Sequence, residues 1–134
     1  MGWSLGGKRT GDMKGDDLSE GFLAFVTQII RVANALPKTT AGRHVCGQVL
    51  RSGTSAGSNY EEARGAESKA DFTHKLGIAL KELRESAYWL NLIDRARLSP
   101  SEKIAEVVQE ADELSRIVAK SIQTARQSVR RQGG

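Results

Sequence analysis

LRSGTSAGSNYEEARGAESKADFTHKLGIALKELRESAYWL, residues 50–90, contains both the clearest and the most ambiguous passage of the chain. In its second half, Ser68 followed by Asp71 is a helix start signal. Phe72, Leu76, Ala79, Leu80, Leu83, Ala87 and Leu90 then recur at the 3.6-residue period of an amphipathic helix, which predicts a helix over 69–96. The first half is ambiguous because Gly53 and Gly57 stand among Ser52, Thr54, Ser55 and Ser58. Each glycine costs about 1 kcal/mol relative to alanine inside a helix, so propensity alone argues for a loop. Yet the line Val45, Val49, Gly53, Ala56, Tyr60, Ala63 keeps helical phase throughout. A helix over 40–65 is therefore expected, capped by Thr39 or Thr40 and stopped at Gly65. Gly53 and Gly57 form a small-xxx-small pair against which another helix can lie closely.

Upstream, Asp17 and Glu20 read as a capping box, and Leu18, Phe22, Phe25, Val26, Ile29, Ala33 and Leu36 predict a helix over 18–36, ended before Pro37. Downstream, Ser99, Pro100 and Glu102 supply an N-cap, a first-turn proline and a capping-box acid. Ile104, Val107, Val108, Ala111, Leu114, Val118 and Ile122 then predict a helix over 100–127. Gly2, Gly6, Gly7, Gly11 and Gly15 make residues 1–17 a flexible glycine-rich leader, and residues 128–134 read as a disordered basic tail. Four long helices with short connections imply an all-α, antiparallel up-down-up-down four-helix bundle at 18–127. At 134 residues, with 5% aromatics and two prolines, the chain is one domain, and no strand alternation competes.

The net charge of +4 is unevenly placed. Residues 1–17 are balanced, 18–113 carry twelve basic and thirteen acidic side chains, and Arg116, Lys120, Arg126, Arg130 and Arg131 follow with no acid after Glu113. This run is either a solvated helix end that complements the helix dipole or a phosphate-binding surface. The first three are four and six residues apart, which does not make one narrow stripe and suits diffuse phosphate contact rather than base readout.

Catalytic templates fit poorly. Cys46 is the only cysteine, which excludes an internal disulfide. Glu61, Glu62, Glu82 and Glu85 lack the Glu-x-x-His pairing of a di-iron bundle, because neither His44 nor His74 follows a glutamate by three. Ser52 and Ser55 have no His-acid relay, and their glycines match neither the Walker nor the dinucleotide pattern. No enzyme, metal or cofactor is expected. No run approaches the roughly 18 to 20 apolar residues of a membrane span, and no secretory core stands at the N-terminus, so the expected location is cytoplasmic, without membrane association.

Arg51, Ser55, Asn59 and Glu62 fall on one side of the second helix, away from its apolar line. On the third helix, Ile78, Trp89, Leu92 and Ile93 read as a second apolar face, with Glu82 and Glu85 among them. A helix in a small bundle cannot bury two faces unaided. Arg51, Ser55, Asn59, Glu62, Glu82 and Glu85 are thus expected to form a structural polar network, and Ile78, Trp89, Leu92 and Ile93 an oligomer interface.

The stretch at 50–90, with FVTQIIRVANALPK at 25–38, resembles the four-helix bundle protein family encoded by intervening sequences of 23S rRNA genes, over roughly residues 20–122. Arg51, Ser52, Ser55, Gly57, Asn59, Tyr60, Glu62 and Ala63 match its second-helix motif, and the run from Ser68 to Leu90 its third. The chain departs from the family in its glycine-rich leader and in Gly57-Ser58, where Gly-Ala is commoner. That family is similar to the accessory variability proteins of diversity-generating retroelements. This relation implies a homopentameric basic ring that binds nucleic acid and a reverse transcriptase, an assembly rather than a reaction. The resulting expectation is a non-enzymatic, self-assembling accessory protein directed to RNA, or otherwise to DNA. The alternative is a protein–protein adaptor or structural oligomeric module without nucleic-acid binding.

Overall fold

The computed structural model describes residues 15–133, without the side chains of 129 and 131–133. It contains α1 (Gly15–Ala35), α2 (Thr40–Arg64), α3 (Lys69–Arg95) and α4 (Ser101–Gly133). Contact runs α1–α2, α2–α3, α3–α4 and α4–α1, most extensively between α2 and α3 and least between α1 and α4. Among the described residues, the backbones of the diagonal pairs do not come close. Connections of four or five residues force each helix antiparallel to the one before it. The result is the up-down-up-down four-helix bundle.

Buried positions recur in steps of three and four: Leu18, Phe22, Phe25, Ile29 and Val32 on α1, and Val45, Val49, Ser52, Ala56, Tyr60 and Ala63 on α2. Phe72, Leu76, Ala79, Leu83, Ser86, Leu90 and Ile93 follow on α3, and Ile104, Val107, Ala111, Leu114, Val118, Ser121 and Ala125 on α4. This is the 3.5-residue repeat that keeps one seam facing its partners and packs knobs into holes.

The capping signals read from the sequence hold for two helices. Thr39 accepts from Gly42 N at 3.0 Å, and Ser68 accepts from Asp71 N at 3.0 Å. The glycine-bearing stretch 52–59 is helical throughout, because α1 lies against it. A β-carbon at Gly53 would stand 2.7 Å from Ile29 Cγ2, and one at Gly57 3.0 Å from Val26 Cγ2.

Two ends differ from expectation. α1 includes Gly15, Asp16 and Asp17, so Asp17 lies inside the first turn rather than capping it. The end of α2 holds that turn, through Tyr60 Oη donating to Gly15 O at 3.0 Å and Arg64 pairing with Asp16 at 2.8 Å. Residues 1–14 of the expected leader lie outside the described residues. α4 runs to Gly133, where a disordered tail was expected from 128. No proline or glycine interrupts 123–132, Ala125 is still buried, and Lys69 Nζ donates to Ser128 Oγ at 2.6 Å.

Candidate functional site

Two surfaces carry the polar chemistry: the seam between α2 and α3, and the outward face of α4. At the seam, Arg51 Nη1 lies 3.3 and 3.2 Å from the two carboxylate oxygens of Glu82, and Nη2 donates to Glu85 Oε2. Ser55 Oγ donates to Glu82 at 3.4 Å, and Asn59 Nδ2 donates to Ser55 O at 2.9 Å and Ser55 Oγ at 3.1 Å. Trp89 Nε1 donates to Glu85 at 3.1 Å. The Arg51 guanidinium, and then the Trp89 N–H, hold the Glu85 carboxyl below its ordinary range, while Glu85 and Glu82 push the Arg51 pKa up.

Five of the six residues expected in the polar network therefore meet. Glu62 stands apart, paired with Lys75 at 2.8 Å, an ion pair that raises the Lys75 pKa. Sequence reading missed Ser52 and Ser86 as members. Both are fully buried with their hydroxyls 2.9 Å apart, and Ser86 Oγ is also 2.8 Å from the Glu82 carbonyl oxygen. A serine has one hydroxyl proton, so Ser86 donates to one acceptor at a time. Their signal was available: both continue the three-four spacing of the apolar line.

The seam's polar groups answer one another. Ser52 faces a serine and the Val49 carbonyl rather than a base, and the His44 ring meets the edge of Trp89, with centroids 6.1 Å apart. Among the described residues, no three His, Cys, Asp or Glu side chains are grouped to hold a metal ion. Such an arrangement sets the register of α2 against α3.

α4 is electrically bipolar. Glu102, Glu106, Glu110, Asp112 and Glu113 lie in its first half, and burial with the neighbouring Glu106 and Glu113 pushes the Glu110 carboxyl up. The second half carries Arg116, Lys120, Arg126 and Arg130, all exposed. Because the helix is continuous, these four share a sector of about 120° on the outward face, narrower than their spacing suggested. Arg126 and Arg130 border a shallow groove of about 260 Å³ with Ile122, Gln123 and Gln127. The Arg131 side chain lies outside the described residues.

Of the expected interface residues, Ile78 and Trp89 are half-buried and Leu92 is 36% exposed. Ile93 is a correction: it is fully buried in the chain's own core. It stands three residues beyond Leu90, about 60° round the helix, and so continues the core seam instead of opposing it. Leu23, Ile30 and Tyr88, at 61%, 42% and 60% exposure, were missed as surface apolar residues. The signal for the first two was their place off the apolar stripe of α1, seven residues apart.

Residues 20–120 match the family model described as 23S rRNA-intervening sequence protein. A solved structure from Bacteroides thetaiotaomicron, described as a protein of unknown function from the S23 ribosomal protein family, is 34% identical with a TM-score of 0.74, over 78% of this chain and 97% of that one. No curated protein matches the chain. No helix among the described residues is long and apolar enough to cross a membrane.

Proposed function

Because the chain belongs to the 23S rRNA-intervening sequence protein family, we propose that it is a non-enzymatic, self-assembling accessory protein that binds RNA through the basic half of α4. The observation that carries this reading is the sector of Arg116, Lys120, Arg126 and Arg130, free of acid after Glu113. Phosphate backbones need clustered cations and little else, so such a surface supplies affinity without base readout. Assembly as a homopentamer multiplies that surface fivefold in one particle. The reading places the protein in the cytoplasm, with RNA ahead of DNA as its partner.

Binding of single-stranded RNA measured against salt tests it. Each phosphate contact contributes about −0.7 to the slope of log affinity on log salt. Arg126→Gln with Arg130→Gln is expected to flatten the slope by about 1.4 and to weaken binding evenly across sequences. An intact chain that binds no RNA or DNA at low salt overturns the reading. The alternative, an adaptor or structural oligomeric module, then stands. It is favoured by the exposed Leu23, Ile30, Tyr88 and Leu92.

A further inference from the structure

Resting on the RNA-binding reading, we infer that the end of the bundle carrying the α1–α2 and α3–α4 connections is a second phosphate-binding surface, separate from the basic half of α4. It holds the RNA backbone through Lys38, Arg43, Arg95, Arg97 and Lys103, whose side chains are all exposed.

Chain order hides this surface. Residues 18–113 carry twelve basic and thirteen acidic side chains and read as neutral. Folding sorts them by end. Antiparallel packing brings the last turns of α1 and α3 beside the first turns of α2 and α4, so that residues 32–43 and 92–104 form the connection end. These stretches hold the five cations against two acids, Asp94 and Glu102. At the opposite end, residues 15–18, 61–72 and 130–133 hold four cations against six acids. Among the described residues, the two ends therefore differ in the sign of their charge.

The fold leaves the five cations unanswered. The ion pairs among the described residues join Arg51, Arg64 and Lys75 to acids at the α2–α3 seam and toward the opposite end, and none involves the connection end. Arg43 and Lys103 also stand in the first turns of α2 and α4, where the helix dipole is positive and disfavours a cation. Their charge adds to the positive potential of that end, which suits a polyanion and does nothing for the helices.

Two of the five are presented by fixed turns. The α1–α2 connection folds against the start of α2, where a β-carbon at Gly42 would lie 2.0 Å from Pro37 O and where Thr39 caps the helix. Lys38 lies between those two anchors. Arg97 occupies the left-handed position of the turn that ends α3, at φ 57°, where glycine would be unstrained. Arginine there keeps a cation in the connection in a backbone conformation that disfavours it.

The surface is also distant from the one on α4. Lys103 and Arg126 lie about 35 Å apart along the helix, with Glu106, Glu110, Asp112 and Glu113 between them. At that separation the two sets of phosphate contacts contribute additively.

Fluorescence anisotropy of a labelled oligouridylate of about 20 nucleotides, measured against salt, tests the assignment. The combined variant Lys38→Gln, Arg43→Gln and Lys103→Gln is expected to flatten the slope of log affinity on log salt by about 2, at about 0.7 for each lost contact. Adding Arg126→Gln and Arg130→Gln is expected to flatten it by the sum of the two effects. Arg97→Gly removes a cation while relieving the backbone, so a loss of binding there is not a loss of fold. It is expected to raise the melting temperature and to flatten the slope by about 0.7. If circular dichroism shows the combined variant unfolded, Arg97→Gly with Arg95→Gln carries the test. A slope left unchanged by the connection-end variants overturns the second surface and leaves the reading of α4 standing. A slope flattened by them and untouched by Arg126→Gln with Arg130→Gln supports the second surface and overturns the share given to α4. An intact chain that binds no RNA at low salt overturns both.

Discussion

At Gly53 a β-carbon would meet Ile29 Cγ2 at 2.7 Å and Cγ1 at 3.0 Å, and Ile29 is fully buried with nowhere to turn. Overpacking of this kind costs about 1–3 kcal/mol, more than the roughly 1 kcal/mol that alanine gains over glycine in a helix. Gly47 sits on the same helix with nothing within 4 Å. Gly53→Ala should therefore lower the melting temperature, while Gly47→Ala should raise it by up to about 1 kcal/mol of stability. Thermal unfolding of the pair separates a packing glycine from a surface one. Arg51 answers to a different term. Arg51→Ala leaves the buried Glu82 and the neighbouring Glu85 without their shared cation, at about 1–3 kcal/mol. This is below the cost of breaking a fully buried pair, because the Arg51 side chain is 47% exposed. The pH dependence has a definite sign. The Glu85 pKa is lowered, so its contribution is present above the ordinary carboxylate range and is lost as pH falls through the lowered value. The stability gap between the intact chain and Arg51→Ala should accordingly narrow in acid, as urea unfolding at several pH values would show.

The end of α3 stores a correctable strain. Arg97 N bonds Asp94 O at 3.0 Å and Leu98 N bonds Ile93 O at 2.9 Å, a Schellman turn whose left-handed position is occupied by Arg97 at φ 57°. A side chain in that conformation costs about 1 kcal/mol that glycine does not incur, so Arg97→Gly should stabilise the fold by up to that amount in thermal unfolding. Helix ends also show which local signals can be read without a structure. Thr39 and Ser68 were legible because a cap and the N–H it accepts from lie within three residues of each other. The start of α1 was not, since Gly15 and Asp16 are held by Tyr60 and Arg64, more than forty residues away. Nor was the end of α4, where among the described residues the last buried apolar one is small, Ala125, and Ser128 is held from another helix by Lys69. The middle of α2 was legible against its propensity, because phase survives glycine when a neighbouring helix fills the space.

In the whole molecule, the polar seam was legible as far as one helix face could be read from spacing. Arg51, Ser55, Asn59, Glu82 and Glu85 converge, whereas Glu62 belongs to another pair because Lys75 of α3 stands level with it. What spacing did not show was which apolar residues remain outside once four helices have closed: Ile93 goes in, and Leu23, Ile30 and Tyr88 stay out. Those outward residues lie on α1 and α3, on other helices than the basic sector of α4. Under the proposed self-assembly, an apolar joint made through Leu23 of α1 leaves the basic sector of α4 outside the joint. A short single strand that touches one protomer should then bind Leu23→Asp and the intact chain with equal affinity. A long RNA engages several protomers of such an assembly at once, and linked sites of this kind gain about 10²-fold or more over one site. Leu23→Asp should lose that gain on long RNA alone. Fluorescence anisotropy with a short and a long labelled strand, at one fixed salt concentration, distinguishes the outcomes. An equal loss on both strands would put Leu23 in the binding surface. An equal affinity for both strands in the intact chain would mean that assembly adds nothing to binding, and the outward placement of α4 would lose its functional meaning.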